Sequence, residues 1–215
     1  LNGRVYLAEP PTLVLIRHGE TESNRNRRFA GWSDEHLTEE GREGVVRLAR
    51  SLGLRGGRLY TSPVRRAIET AEILAAELSL PVHTVHDLHE IELGEWTGLT
   101  ESEVAERWPA AYRQWLERPD QLEIPGRERL EEVRERAVDA IDQIGKAELS
   151  EDGAPVVVIT HLALIRVLWL TANDRPLAEY HSVTAAHDEL YTLLWEGRGR
   201  LSPVDGAPGR PLTGS

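Results

Sequence analysis

The sequence predicts an α/β fold: a three-layer α/β/α sandwich with a mostly parallel central sheet. Two short, continuous, β-branched apolar runs, TLVLIR (12–17) and PVVVIT (155–160), have the pattern of strands buried on both faces. Strand-like and helix-like stretches alternate between and around them, the order that builds βαβ units. RLYTS (58–62) is a weaker third strand.

Each helix is justified by its ends and its stripe. Thr38 can cap a helix whose first turn holds Glu39 and Glu40, carboxylates suited to the positive end of the helix dipole. Val45, Leu48, Ala49 and Leu52 form its apolar stripe, and Gly53 ends it. Ser62 and Pro63 open the next helix, striped by Val64, Ala67, Ile68, Ala71, Ala75 and Leu78. Pro81, Val82 and Val85 favour extended chain. Thr100 and Glu103 make a capping-box pattern for a helix that Pro109 should kink or interrupt. Leu130, Val133, Ala137, Ile141 and Ile144 stripe a later helix, and LALIRVLWL (162–170) continues helically from the second apolar run. Residues 201–215 are rich in glycine and proline without periodicity and read as a mobile end, leaving 1–200 as a single domain.

Composition narrows the function. A chain of 215 residues, 40% of them hydrophobic, can bury one substantial core. A formal net charge of −11 argues against general nucleic-acid or membrane-surface binding, so an anionic substrate would need a local basic pocket. The absence of cysteine excludes disulfides, thiolate catalysis and Cys-ligated zinc. LALIRVLWL is too short for a membrane span and carries Arg166. No charged-then-apolar leader precedes TLVLI in this sequence, which begins at Leu1, and a cytoplasmic location is the default expectation.

The placement of charged residues then becomes informative. His18 follows one predicted strand and His161 another, and ligands of open α/β sheets bind at the carboxyl ends of strands. RLYTSPVRRA repeats the layout, bringing Arg65 and Arg66 into the first turn of a helix, where free backbone N–H groups attract phosphate. Two histidines and several arginines at three strand ends suit an oxyanion with two or more charges, most simply a phosphoryl group. A neutral imidazole can attack phosphorus and divide a difficult displacement into two easier ones. Adjacent guanidinium groups keep the imidazole neutral and stabilise charge on the transferring oxygens. The leaving alkoxide needs a proton, and Glu90, in HDLHEIELGEWTG, is a carboxylic acid able to supply it. These cations already bring the positive charge that metals bring elsewhere, so neither a metal nor a cofactor is expected.

At this point the chain resembles the histidine phosphatase superfamily, which contains the cofactor-dependent phosphoglycerate mutases and many phosphatases. The resemblance runs through LVLIRHGETESN, FAGWSDEHLTEEG, YTSPVRRAIETAEIL, LHEIELGEWTG and VVVITHLALIRVL, five blocks in the family's order. It implies that His18 is the nucleophile, that Arg17, Arg66 and His161 bind and polarise the phosphoryl group, and that Glu90 gives and takes the proton. Asn24 and Thr21 match secondary phosphate-contacting positions. Arg66 is preferred to Arg65 because the family pattern places its arginine immediately before A..TA; helical periodicity does not separate the two. The chain departs from the pattern at Leu162, where glycine is common, which makes the pocket wall tighter or more apolar. It departs again at GRERLEEVRER, where Arg127 and Arg129 replace small residues; solvated side chains are the preferred reading of both, against extra substrate contacts.

The resemblance implies a phosphatase acting on small phosphomonoesters. A phosphoglycerate mutase is the alternative, but the stretch between Glu90 and His161 is shorter than mutases usually have and shows no counterpart to their paired-arginine segment. An inactive phosphate-binding regulatory module is the third reading, opposed by the joint retention of His18, Arg17, Arg66, Glu90 and His161. Selectivity would come from the region after Trp96, including Trp108, Tyr112, Arg113 and Trp115. His83, His86 and His89 could share one face only on a helix, and in extended chain their three-residue step alternates faces, so zinc binding is not expected. His181 and His187 read as surface or packing residues. Trp96, Trp108, Trp115, Trp169 and Trp195 read as core or subunit-contact aromatics, with a homodimer left open, and Trp32 is placed near the pocket mouth.

Overall fold

Odd and even positions of the apolar runs face opposite helical layers in the computed structural model, which describes residues 10–53, 57–149 and 154–204. Strand β1 spans Thr12–Arg17, β2 Arg58–Thr61, β3 Val82–Thr84, β4 Val156–Thr160, β5 Leu190–Gly197 and β6 Arg200–Pro203. They form one sheet in the order β3-β2-β4-β1-β5-β6. β3, β2, β4 and β1 are mutually parallel, while β5 and β6 extend the sheet antiparallel beyond β1.

The first helix, α1, is a single turn over Glu22–Arg25; α2 spans Glu39–Leu52 and α3 Arg65–Leu78. Val14, Ile16, Leu59, Val157 and Ile159 pack against Val45, Leu48 and Ala49 of α2 and Ala67, Ala71 and Leu74 of α3. The alternate residues Leu13, Leu15, Tyr60, Val156 and Val158 face the other way, onto α6 (Leu130–Ala147) and α7 (Leu162–Ala172). This two-sided burial explains why β1 and β4 have no polar residue between their ends. Each fully buried branched side chain contributes about 1.5–3 kcal/mol relative to exposure.

The helix ends follow their predicted chemistry. Thr38 caps α2 through the Gly41 N–H, and Gly53 closes it at φ +59°. Gly41 is required by close approach as well: a Cβ there would lie 2.4 Å from the Glu20 carbonyl oxygen. Thr100 and Glu103 form the expected capping box of α4, Glu101–Arg107, and Pro109 divides that helix from α5, Pro109–Glu117. Helix α3 begins at Arg65, later than expected, because Ser62 accepts from the Val64 N–H and leaves Pro63 outside the helix.

The C-terminal third differs from its expectation. Sequence periodicity marks no strand after residue 160, yet β5 lies beside β1 and alternates partly exposed with buried residues, as an antiparallel strand facing a single core does. A two-residue turn, Arg198 and Gly199 with φ of +53° and +72°, returns the chain as β6. Leu201–Pro203 of the supposed tail therefore belong to the sheet, and residues 205–215 lie outside the described residues. No described helix is long and apolar enough to cross a membrane.

Candidate active site

β2, β4 and β1 are consecutive neighbours at the middle of the sheet, so the residues that follow them converge at one edge. His18 leaves β1, His161 leaves β4 as the residue before α7, and Ser62 leaves β2 on the way to α3. All three side chains are buried, as is Arg66 in the first turn of α3. The rings of His18 and His161 stand 5.1 Å apart.

Hydrogen bonds fix the protonation of both rings. His18 Nδ1 lies 2.8 Å from the Gly19 carbonyl, which can only accept, so Nδ1 carries the hydrogen. The Nε2 lone pair faces the site and receives Arg66 Nε–H at 3.0 Å. His161 Nδ1 lies 3.3 Å from Arg66 Nη2, which can only donate, so its Nε2–H points to Ser62 Oγ at 2.7 Å. Burial first, then the Arg66 guanidinium, drives both histidines well below their ordinary pKa, and both are neutral at physiological pH. A neutral imidazole whose lone pair faces the site can act as a nucleophile once Arg66 releases it; an imidazolium cannot.

The cations are preset. Arg66 also donates to the carbonyls of Gly31, at 2.6 Å, and Ser33, at 3.3 Å. Burial lowers its pKa and pushes that of Arg17 down to about 10, so both stay charged at neutral pH. Arg17 Nη1 donates to the Ala185 carbonyl, while its Nε is buried with no hydrogen-bond partner among the described residues. A buried, unmatched guanidinium donor beside the His18 lone pair suits an oxyanion. Arg65, by contrast, is exposed and paired with Asp34, so burial makes the choice between the two arginines that periodicity did not.

Glu90 joins the same pocket from the loop after β3. Its Oε1 accepts from the Ile91 N–H at 3.0 Å and from the Ala163 N–H, in the first turn of α7, at 3.3 Å. Its other oxygen has no hydrogen bond among the described residues. The pocket, of about 250 Å³, is lined by Arg17, His18, Asn24, Arg66 and Glu90, with Phe29, Leu93, Trp115, Leu162, Arg166 and Tyr180 on its outer walls. Leu162 supplies part of the apolar wall. Thr21 is fully buried, and its hydroxyl caps α1 by accepting from the Asn24 N–H while Asn24 Oδ1 accepts from the Thr21 N–H. Its visible part is to fix Asn24 rather than to line the pocket.

Several residues take places that the sequence did not foretell. His187 takes the packing place of its two readings, though against the site itself: it is half-buried, its Nδ1–H donates to the His18 carbonyl and its ring stands 5.6 Å from that of His18. Burial, then Arg17, lowers its pKa to about 4. His181 does lie at the surface, at the rim of the pocket. Arg166 stacks over Tyr180, 4.7 Å from the ring, and anchors Nε on the Val183 carbonyl. Its position one turn after Leu162 is the signal that could have found it. Arg127 corrects the solvated reading: it is buried, 4.9 Å over the Trp115 ring, because pairing of its backbone with Leu93 turns the side chain inward. Arg129 is exposed and paired with Glu132.

The histidine run also departs from its extended reading. His83 is on β3, but the chain then tightens into a 3₁₀ turn over His86–Leu88. That turn brings His86, Asp87 and His89 together, their ligand-type atoms within 4.8 Å of one another. Trp32 is exposed and donates its indole N–H to the Glu90 carbonyl at 2.9 Å, beside this group. Trp96, Trp115, Trp169 and Trp195 are buried in the core.

Known proteins share the fold and much of the sequence. The model of the histidine phosphatase superfamily (branch 1) matches residues 13–202. A bifunctional protein of Mycobacterium tuberculosis is 37% identical over 167 residues, 77% of this chain, and the chain spans 45% of that relative's length. The metal-independent phosphoserine phosphatase of Arabidopsis thaliana is 36% identical over 167 residues, covering 76% of this chain and 69% of the relative. The solved mycobacterial glucosyl-3-phosphoglycerate phosphatase superposes with a TM-score of 0.81 at 27% identity, covering 93% of this chain and 99% of that one.

Proposed function

We propose that this chain, which belongs to the histidine phosphatase superfamily, is a phosphatase that removes phosphate from small phosphomonoesters through a phosphohistidine on His18. The observation that carries the reading is the Arg66 Nε–H held on the Nε2 lone pair of a neutral, buried His18, with Glu90 in the same pocket. Arg17 and Arg66 receive the phosphoryl oxygens, with Asn24 at their edge, and His161 joins them when its Nε2–H turns from Ser62 Oγ to a phosphoryl oxygen. As the Arg66 Nε–H turns from His18 to a phosphoryl oxygen, the freed Nε2 lone pair attacks phosphorus, the P–O bond to the leaving group breaks, and the leaving oxygen takes the proton of the Glu90 carboxyl. The positive charge gained by the ring is met by the Gly19 carbonyl on Nδ1–H. Water then gives its proton back to Glu90 while its oxygen attacks phosphorus, the N–P bond breaks and inorganic phosphate leaves. Each arginine can hold two oxygens, and stabilisation of this kind needs no metal.

Support for hydrolysis comes from the phosphatases among the similar proteins and from the short stretch between Glu90 and His161. The test is a phosphomonoester screen in EDTA, for wild type and His18→Ala, with brief quenching of wild type. Turnover should vanish in the alanine variant, and wild type should yield an acid-labile, alkali-stable phosphate adduct on His18. Substantial activity in His18→Ala would exclude the mechanism. Primed with bisphosphoglycerate, the protein should free phosphate much faster than it isomerises 3-phosphoglycerate; the reverse ratio would assign a mutase.

A further inference from the structure

The catalytic pocket continues into a second chamber of about 360 Å³, and the two share Arg17, Asn24, Arg28, Phe29, Glu101 and Leu162 as walls. The second chamber adds Ser23, Arg27 and His187. Its charge runs against that of the molecule: three arginines face a single carboxylate, Glu101, on a chain of formal net charge −11. A phosphoryl group held at His18 in the catalytic pocket would leave the adjoining chamber to the rest of a small substrate.

The arginines of the rim are not equivalent. Arg25 is paired with Glu20, Glu22 and Glu40, Arg65 with Asp34, and Arg28 is anchored on the Gly98 carbonyl and Glu103. Arg27 has no ion pair and no side-chain hydrogen bond among the described residues, and its backbone is left-handed at φ +50°. A non-glycine residue there carries a strain that glycine would not. The strained position, three residues after Asn24, sets Arg27, exposed and without an ion pair among the described residues, on the wall of a cavity that Asn24 also lines.

We propose that this chamber receives a second acidic group on the substrate, a carboxylate or a second phosphate, and that Arg27 is its selecting residue. The proposal rests on the phosphatase reading and narrows it to doubly acidic small phosphomonoesters. Arginine suits either group because its planar fork can meet two oxygens at once.

Two matched pairs of compounds test it: 3-phosphoglycerate against glycerol 3-phosphate, which replaces a carboxylate by a hydroxymethyl group, and propane-1,3-diyl bisphosphate against 3-hydroxypropyl phosphate. Wild type should favour the doubly acidic member of at least one pair in kcat/KM, and the pair affected names the group as carboxylate or phosphate. Arg27→Gly, which suits the left-handed backbone, should reduce that preference about fivefold, chiefly through KM, the upper scale of one exposed charge pair. Arg27→Lys should keep most of it. Binding of the four compounds to His18→Ala, measured by calorimetry, should give the same order. Because binding needs no turnover, absence of hydrolysis would overturn the phosphatase reading while the calorimetry still decides the subsite. Equal preference within both pairs in wild type, a preference unchanged in Arg27→Gly, or an equal loss in the control Arg25→Ala would overturn the proposal.

Discussion

Glu90 shows how one side chain is prepared for two opposite tasks. Two backbone N–H groups hold Oε1, so the carboxyl plane is fixed while the other oxygen is left to carry a proton out and back. Glu90→Gln keeps the shape and removes the proton. It should slow an alkyl phosphate on the order of 10²-fold or more and an activated aryl phosphate far less, since the aryl leaving oxygen scarcely needs protonation. Equal losses for both substrates would shift the acid role to Glu92 or Glu95. At this scale the sequence was legible where a motif places a side chain, as for His18 and Glu90, which the fold brings into one pocket. It was not legible where burial decides: Arg65 and Arg66 are adjacent and chemically identical, and only the fold makes one a surface partner of Asp34 and the other a neighbour of His18. His187 had no local signal, because its contact is with a backbone carbonyl far away in the chain.

Helix α2 carries the loop before it into place. Thr38 caps the helix and also bonds Glu20, while Gly41 lets the first turn lie against the Glu20 backbone just beyond His18 and Gly19. Thr38→Ala should cost about 1 kcal/mol of stability, the usual loss for such a cap. Gly41→Ala should cost more and reduce kcat as well, because a Cβ 2.4 Å from a backbone oxygen forces the helix away from the segment holding His18. Denaturant melts with parallel kinetics would check both, and a neutral Gly41→Ala would remove the steric argument. Helices with caps and stripes, and strands buried on two faces, were readable from the sequence for this reason: their signals are local. β5 and β6 were not, since β5 is one-sided and β6 hides in a glycine- and proline-rich stretch whose turn is the very reason it pairs. The 3₁₀ turn at His86–Leu88 likewise overrides an extended pattern and gathers His86 with His89.

Across the whole molecule, three neutral histidines link stability to pH. His18 and His161 lie well below their ordinary pKa and His187 near 4, so below pH ~6.5 the unfolded chain takes up protons that the folded one refuses. Stability therefore falls as pH falls, by roughly 1.4 kcal/mol per pH unit for each histidine between about pH 6 and 4. Urea unfolding at pH 7, 6 and 5 should show a progressive loss, with a shallower slope in His187→Asn. A flat profile would mean that these rings are not held neutral.

The strand order has one more consequence, and it concerns time. β1 carries His18, but both of its neighbours, β4 and β5, follow it far later in the sequence. A ribosome therefore releases His18 long before the segments that bury it, orient its ring and set His161 beside it. Until β5 has been made and inserted, that imidazole should stay solvated, and a polypeptide cut short before Leu190 should show no turnover. On the proposed reading, reactivity should be gained late and all together.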